Sequence, residues 1–235
     1  MTGSSQPEPP GADRTVVDAR KRDLDVLSQV IAGAFHDLAV SRWLIPDPDA
    51  RRSIFPGYFG ILLRHAMTAG MVSTTPQRTA AALWLPATGP TPPPDGYTGR
   101  LAQITGPFLD RFVTFETELA RRHPAGVFHH HLAILAVRPD TQRQGTGTAL
   151  LQAHHAAFDW QGITAYLEAS DERTRGLYLR HGYADHGAPI ELPDGPSMYP
   201  MVRIPILLPR SEPAPVTGGI PGGHCISQAD GENGR

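Results

Sequence analysis

Cysteine is almost absent. The 235 residues hold one, Cys225, so no disulfide can close within the chain and a reducing cytoplasm is the expected setting. Lysine is as scarce, with Lys21 the single example, so arginine carries nearly all the positive charge. Lys and Arg together number 21 against 23 Asp and Glu, a formal net charge of −2. That balance argues against a general nucleic-acid binder, and no nucleic-acid partner is expected. No apolar stretch reaches the roughly 18–20 residues of a membrane span. The segment Met1–Arg14 lacks the basic start and apolar run of a secretory signal, so no membrane partner is expected. No internal repeat is found.

Residues 1–13 and 206–235 are rich in Pro, Gly and Ser without apolar period, and are expected to be disordered tails around one domain, 14–205. Cys225 falls in the second tail, which argues against a catalytic role. Between the tails helix and strand patterns alternate. Thr15–Asp18 reads as a short strand. Leu24, Leu27, Ile31 and Phe35 have the spacing of an amphipathic helix over Asp23–Phe35, and a second helical run covers Asp49–Ala69. Met71–Ser73 and Thr79–Leu85 read as a hairpin turning at Pro76, and Pro86–Tyr97 as a proline-rich loop. Leu101–Arg122 reads as helix broken near Gly106–Pro107. His129–Val137 is a nearly continuous apolar run after three histidines, as in a strand buried on both faces. A helix over Gly145–Trp160, a strand over Ala165–Ala169, a helix over Glu172–His181 stopped by Gly182, a strand opening at Tyr183 and a last strand over Met198–Ile204 complete an α/β (α+β) arrangement.

The most informative segment is Ala136-Val-Arg-Pro-Asp-Thr-Gln-Arg-Gln-Gly-Thr-Gly-Thr148. A strand ends at Val137, Pro139 breaks it, and Gly145 and Gly147 stand at the mouth of a helix. The first turn of a helix has unpaired N–H groups and partial positive charge, and glycines let a diphosphate approach that backbone. Arg143 adds charge, and Thr146 and Thr148 add hydroxyls. A dinucleotide loop would need glycine at position 150, which is Leu150. A nucleoside-triphosphate loop would need Gly-Lys-Ser/Thr, and no lysine is present here.

What remains, Gln142-x-x-Gly145-x-Gly147, resembles the pyrophosphate motif of the GNAT superfamily of acetyltransferases. Tyr178-x-x-x-Gly182-Tyr183 resembles that family's later helix and strand. The asparagine often found seven residues before the tyrosine is here Asp171, which can still cap the helix. Tyr166-Leu-Glu-x-Ser170 and Ala82-x-Trp84-x-Pro86 are similar to the puromycin N-acetyltransferase type. His131–Val137 is similar to a His-Leu-x-x-Leu-Ala-Val run of arylalkylamine acetyltransferases. The resemblance implies a central mixed, splayed sheet of six to seven strands flanked by helices, with acetyl-CoA as co-substrate. It implies coenzyme contacts from Leu135, Ala136, Val137, Gln142, Arg143, Gln144, Gly145, Thr146, Gly147, Thr148, Asp171 and Tyr178. Backbone groups of Leu135–Val137 would pair with the pantetheine arm, and the N–H near Leu135 would serve the oxyanion.

Acetyl transfer needs a base for the attacking amine and an acid for the leaving thiolate. The resemblance places Tyr178 as the acid; an ordinary phenol is protonated at neutral pH. His131 is the candidate base because imidazole titrates near neutrality. By strand alternation His129 shares its face and His130 points away, so His129 relaying through water, or water itself, stays open as an alternative. His154 and His155, adjacent on a helix, cannot face one site. No separated ligand set on a common face is evident, so no metal is expected. The acceptor is expected to be a primary amine on a small molecule, with a protein or peptide acetyltransferase and a non-catalytic acyl-CoA-binding domain as alternatives. The acceptor pocket is expected from the Trp43–Tyr58 and Pro86–Phe112 regions, and the sequence leaves room for a homodimer.

Overall fold

A computed structural model describes residues 14–90 and 92–206. Both expected tails, apart from Ile206, lie outside the described residues, as does Cys225. The chain runs β1 (Val17–Asp18), α1 (Leu24–Phe35), α2 (Ala39–Leu44), α3 (Pro48–Ala69), β2 (Met71–Thr74) and β3 (Ala80–Ala87). It continues α4 (Tyr97–Thr105), α5 (Leu109–Arg122), β4 (His129–Val137), α6 (Thr146–Gln161), β5 (Thr164–Ala169), α7 (Glu172–Arg180), β6 (Ala184–Asp185), β7 (Ile190–Glu191) and β8 (Ser197–Arg203). The eight strands form one mixed sheet in the order β1-β2-β3-β4-β5-β8-β6, with β7 beside β8. Only β4 and β5 pair in parallel.

The sheet is buried on both faces, and β3 shows why. Ala81, Leu83 and Leu85 join a core with α1, α3, α4 and α5, while Ala80, Ala82 and Trp84 join a second core under α6 and α7. Small alanines on one strand bring both helical layers close. At Gly70, between α3 and β2, a Cβ would lie 2.1 Å from the Trp84 carbonyl oxygen, so only glycine fits this helix-to-strand turn. Arg203 on β8, buried, donates bidentately to Asp159 at 2.7 Å for each bond and from Nε to the His181 carbonyl at 3.2 Å, fastening the end of α6 to the last strand.

Several expectations need correction. Proline density placed Pro86 in a loop, yet Pro86 pairs with His130 inside β3. The β2 ladder ends opposite Trp84, so on that side Pro86 deprives no partner of a hydrogen bond. Helix α4 starts at Tyr97, ahead of the expected Leu101, after Gly96 at φ +66°. Helix α2 and strand β7 were not foreseen, being too short for a periodic signal. The strand expected from Tyr183 begins at Ala184.

Candidate active site

Strand β4 carries the geometry on which the site is built. Opposite β3, Leu83 pairs with Ile134 and Trp84 with Leu132, so Ala133 is an extra residue, a β-bulge. The phase changes there. Leu132 packs toward α6, whereas Ile134 and Ala136 turn to the α1 and α3 side, and Leu135 and Val137 to α6. On the other edge, β4 pairs with β5 only through His129, His130 and His131, partnered by Thr164, Ala165 and Tyr166. Beyond His131 the two strands part, and the β5-side edge of Leu132–Val137 has no strand partner among the described residues. This splay leaves Leu135, Ala136 and Val137 with backbone able to receive an extended amide-bearing chain.

The loop that follows leads from that edge to the start of α6. Gln142 Nε2 donates to the Val137 carbonyl at 3.0 Å, closing the loop back on the strand. Arg143, exposed, holds φ +64°, a strained left-handed conformation for a non-glycine. Gln144 is exposed as well. Gly145 caps α6 at φ +85° with no side-chain hydrogen bond to the first turn. The N–H groups that open α6 are therefore not consumed by a capping side chain. Gly147 brings the helix against the strand, a Cβ there lying 3.7 Å from Val137 Cγ2. Of the two expected hydroxyls, Thr146 is buried, and Thr148 Oγ1 meets His181 Nε2 at 3.3 Å.

One cation at this cradle was not foreseen. The Arg14 side chain stands over Gly145, its Nε 3.2 Å from where a Cβ on that glycine would sit. Arg14 lies at the edge of a segment with no periodic pattern, and nothing local couples it to a loop so distant in sequence.

Asp171 caps α7 as expected. Its Oδ1 accepts from the Thr174 backbone N–H at 2.7 Å, with Thr174 Oγ1 completing a capping box. Tyr178, on the inner side of α7, is buried with its ring 5.6 Å from that of Tyr183. Its hydroxyl makes no hydrogen bond among the described residues. Burial, with some help from the Asp171 charge, pushes its pKa well above an ordinary phenol, so it stays protonated.

The histidines sort by face as strand alternation requires. His130 turns to α6 and stacks on Phe158 at 4.6 Å. His129 and His131 turn the other way, toward Tyr166. His154 and His155 part company, one meeting Ser73 Oγ at 2.5 Å and the other Tyr183 Oη at 3.0 Å.

On the His131 face the fold adds two side chains that the sequence did not single out. His123, just past α5, and Glu168, on β5, close around His131. His131 Nε2 lies 2.9 Å from Glu168 Oε2. His129 Nδ1 lies 2.9 Å from the Val127 carbonyl and its Nε2 lies 2.9 Å from His123 Nε2. A carbonyl only accepts, so neutral His129 donates from Nδ1 and must accept at Nε2. His123 then donates from Nε2 and carries its lone pair on Nδ1, 4.0 Å from Glu168 Oε1. Glu168 Oε1 and Tyr166 Oη are buried without a hydrogen-bond partner.

The electrostatics follow from this packing. Burial, reinforced by His131, lowers the His123 pKa to about 4 despite the Glu168 charge. Burial likewise lowers His129, partly offset by its bond to Val127. Burial alone would raise Glu168, but His131 by charge and hydrogen bond, together with His123, holds it below the usual glutamate range. The result is a carboxylate held ionised in a nearly dry site, with His123 and His129 kept neutral by burial. No separated ligand set was evident in the sequence; among the described residues, His123, His131 and Glu168 bring ligand-type atoms within 4.8 Å of one another. No helix among the described residues is long and apolar enough to cross a membrane.

Residues 112–185 match the family model described as Acetyltransferase (GNAT) domain, a span holding every candidate residue above except Arg14. Among solved structures, a histone acetyltransferase HPA2 and related acetyltransferase from Corynebacterium glutamicum superposes with a TM-score of 0.65 at 24% identity, covering 84% of this chain and 98% of that one. A GCN5-related N-acetyltransferase from Rhodopseudomonas palustris gives 0.52 at 11% identity over 84% and 99%. Arylalkylamine N-acetyltransferase 2 from Aedes aegypti gives 0.51 at 10% over 81% and 98%. These likenesses establish the fold, the splayed mixed sheet read from the loop and tyrosine motifs. Over residues 112–185 the chain is similar to a GNAT acetyltransferase domain.

Proposed function

We propose that this protein is an acetyl-CoA-dependent N-acetyltransferase that acetylates the primary amine of a small molecule by direct attack in a ternary complex. The observation that carries the reading is the strand edge left open past His131, leading through Gln142–Gly147 to a helix start with no capping side chain. An extended pantetheine fits the first and a diphosphate the second. Arg14, Arg143 and the first-turn N–H groups of α6 hold the diphosphate.

The neutral amine attacks the thioester carbonyl, and the N–H groups at the bulge, near Leu135, meet the developing oxyanion. His131 receives the amine proton at Nδ1, the nitrogen left free by the bond from Nε2 to Glu168. Glu168 positions the imidazole and stabilises it once protonated. The C–S bond breaks, and Tyr178 gives its proton to the departing sulfur.

A small acceptor is favoured by the covering of the His131 side. Helices α4 and α5 fold over α3 and α2, with Arg111 stacked 5.6 Å from the Trp43 ring and Trp43 Nε1 donating to the Pro193 carbonyl at 2.8 Å. The motifs Tyr166–Ser170 and Ala82–Pro86 favour the puromycin type. The test is thiol release from acetyl-CoA across amino-nucleosides, arylalkylamines and peptides. Release with small amines supports the reading. Acetylated peptides alone would make it a protein acetyltransferase, and coenzyme binding without any transfer would make it a sensing domain.

A further inference from the structure

We propose that His123, His131 and Glu168 form a binding site for a transition-metal dication of the zinc type, with one coordination position open. Two nitrogens and one carboxylate oxygen are a ligand set that zinc accepts, leaving a fourth position for water or another ligand. The three come from separate elements, the end of α5, β4 and β5, and all three side chains are largely buried, at 4%, 14% and 6% exposure. One ligand atom from each lies within 4.8 Å of the others, and the two carboxylate oxygens each face one histidine, Oε2 at 2.9 Å from His131 Nε2 and Oε1 at 4.0 Å from His123 Nδ1. Tetrahedral zinc with bonds near 2.1 Å sets donors roughly 3.3 Å apart, so closing on an ion takes ring shifts of about an ångström.

Two features argue for a cation here over a cluster of satisfied side chains. Glu168 Oε1 is buried with no well-formed hydrogen bond, the Tyr166 hydroxyl, itself buried, being the nearby neutral donor. The hydrogen-bond chain from Val127 through His129 fixes His123 with its Nδ1 lone pair toward that same oxygen. Two lone pairs facing each other without a proton between them repel, and a dication resolves both at once. The His129 contact is also the outer-shell support that a metal-bound histidine ordinarily has: it orients the ring through the nitrogen that does not bind.

The site has a consequence for the acyl-transfer reading, although its existence does not rest on that reading. His131 offers Nε2 to the ion, which moves its single proton to Nδ1. No lone pair then remains for the amine proton, so the ion inhibits transfer.

The experiment is a titration of the full chain with Co2+, read by its visible d–d bands, followed by displacement with Zn2+. A one-to-one tetrahedral spectrum is expected. Glu168→Gln, which keeps the side-chain shape, and His123→Ala should each weaken binding by at least about 100-fold, while His130→Ala, on the opposite face, should not. His224 and Cys225 are adjacent in sequence and can themselves bind zinc, so a His224→Ala, Cys225→Ser variant is titrated in parallel. Absence of the bands, or bands lost in that double variant and kept in Glu168→Gln, overturns the proposal. Circular dichroism and melting of each variant exclude unfolding as the cause, and Glu168→Gln alone decides the matter should His123→Ala not fold. Binding is read without turnover, so a chain that binds cobalt as predicted but acetylates nothing when assayed free of metal would refute the acetyltransferase reading and leave the metal site standing.

Discussion

Replacing Tyr178 by phenylalanine separates chemistry from folding better than any other single change here. The phenol oxygen makes no hydrogen bond among the described residues, and the ring keeps its edge contact with Tyr183 at 5.6 Å. Removing that oxygen therefore breaks no internal bond. The expected change in stability is within about 0.5 kcal/mol, a shift of roughly 1–2 °C for a domain of this size. The catalytic cost is of another order. A positioned general acid contributes on the order of 10²- to 10⁴-fold, so kcat should fall at least about 100-fold, or about 2.7 kcal/mol at 1.36 kcal/mol per decade. Coenzyme A affinity, which the proposed function assigns mainly to the Gln142–Thr148 loop, should stay within about threefold of the parent (roughly 0.65 kcal/mol). An acetyl thioester of an aromatic thiol, which departs without a proton, should react with variant and parent at similar rates. Steady-state kinetics, calorimetry with coenzyme A and a thermal melt cover all of these. A variant that keeps kcat near the parent value, or loses coenzyme affinity in step with rate, refutes the acid assignment.

Gly145→Ala tests the cradle. The φ of +85° strains an L-residue by about 1–2 kcal/mol, and the new Cβ stands 3.2 Å from Arg14 Nε where the diphosphate is to dock. Coenzyme A binding should weaken by about tenfold, or 1.4 kcal/mol, with a melting point lower by a few degrees; unchanged affinity would place the phosphates elsewhere. His155 makes stability depend on pH. Burial, then the Arg203 charge, lowers its pKa from 6.5 to about 3 in the folded protein. Below pH 6.5 the unfolded chain takes up a proton that the folded chain refuses, so stability falls as pH falls through that window. The loss is up to about 3 kcal/mol by pH 4, at roughly 1.4 kcal/mol per unit. Urea melts at pH 7 and pH 4.5 should show it, and His155→Phe should make the dependence shallower, leaving the part due to the other buried histidines; the same slope in the variant would assign it to other groups.

The readable part of this protein is what local physics writes. The ends of β4 match its expected boundaries because an apolar run is stopped by Pro139 and preceded by Gly126, at φ +80°. The glycine loop proposed to hold the diphosphate is legible because a helix start and two glycines are contiguous in the chain. That His129 and His131 share a face follows from the two-residue period of a strand. Local patterns did mislead where a neighbour decided the outcome, as at Pro86, tolerated because the β2 ladder ends two residues earlier, opposite Trp84.

Tertiary structure alone decided the rest. The parting of β4 from β5 after His131 depends on where two strands 27 or more residues apart in the chain cease to pair, and the bulge at Ala133 depends on register with β3. Glu168 lies 37 residues from His131 and meets it at 2.9 Å, and Arg14 reaches Gly145 from the far end of the domain. A lone Glu, His or Arg has no periodicity of its own. Its chemistry becomes specific only when burial removes water and another element supplies the partner, and that happens when the sheet closes. The sequence by itself therefore determined the glycine loop and the helix start it opens, and the packed structure decided which groups stand beside His131.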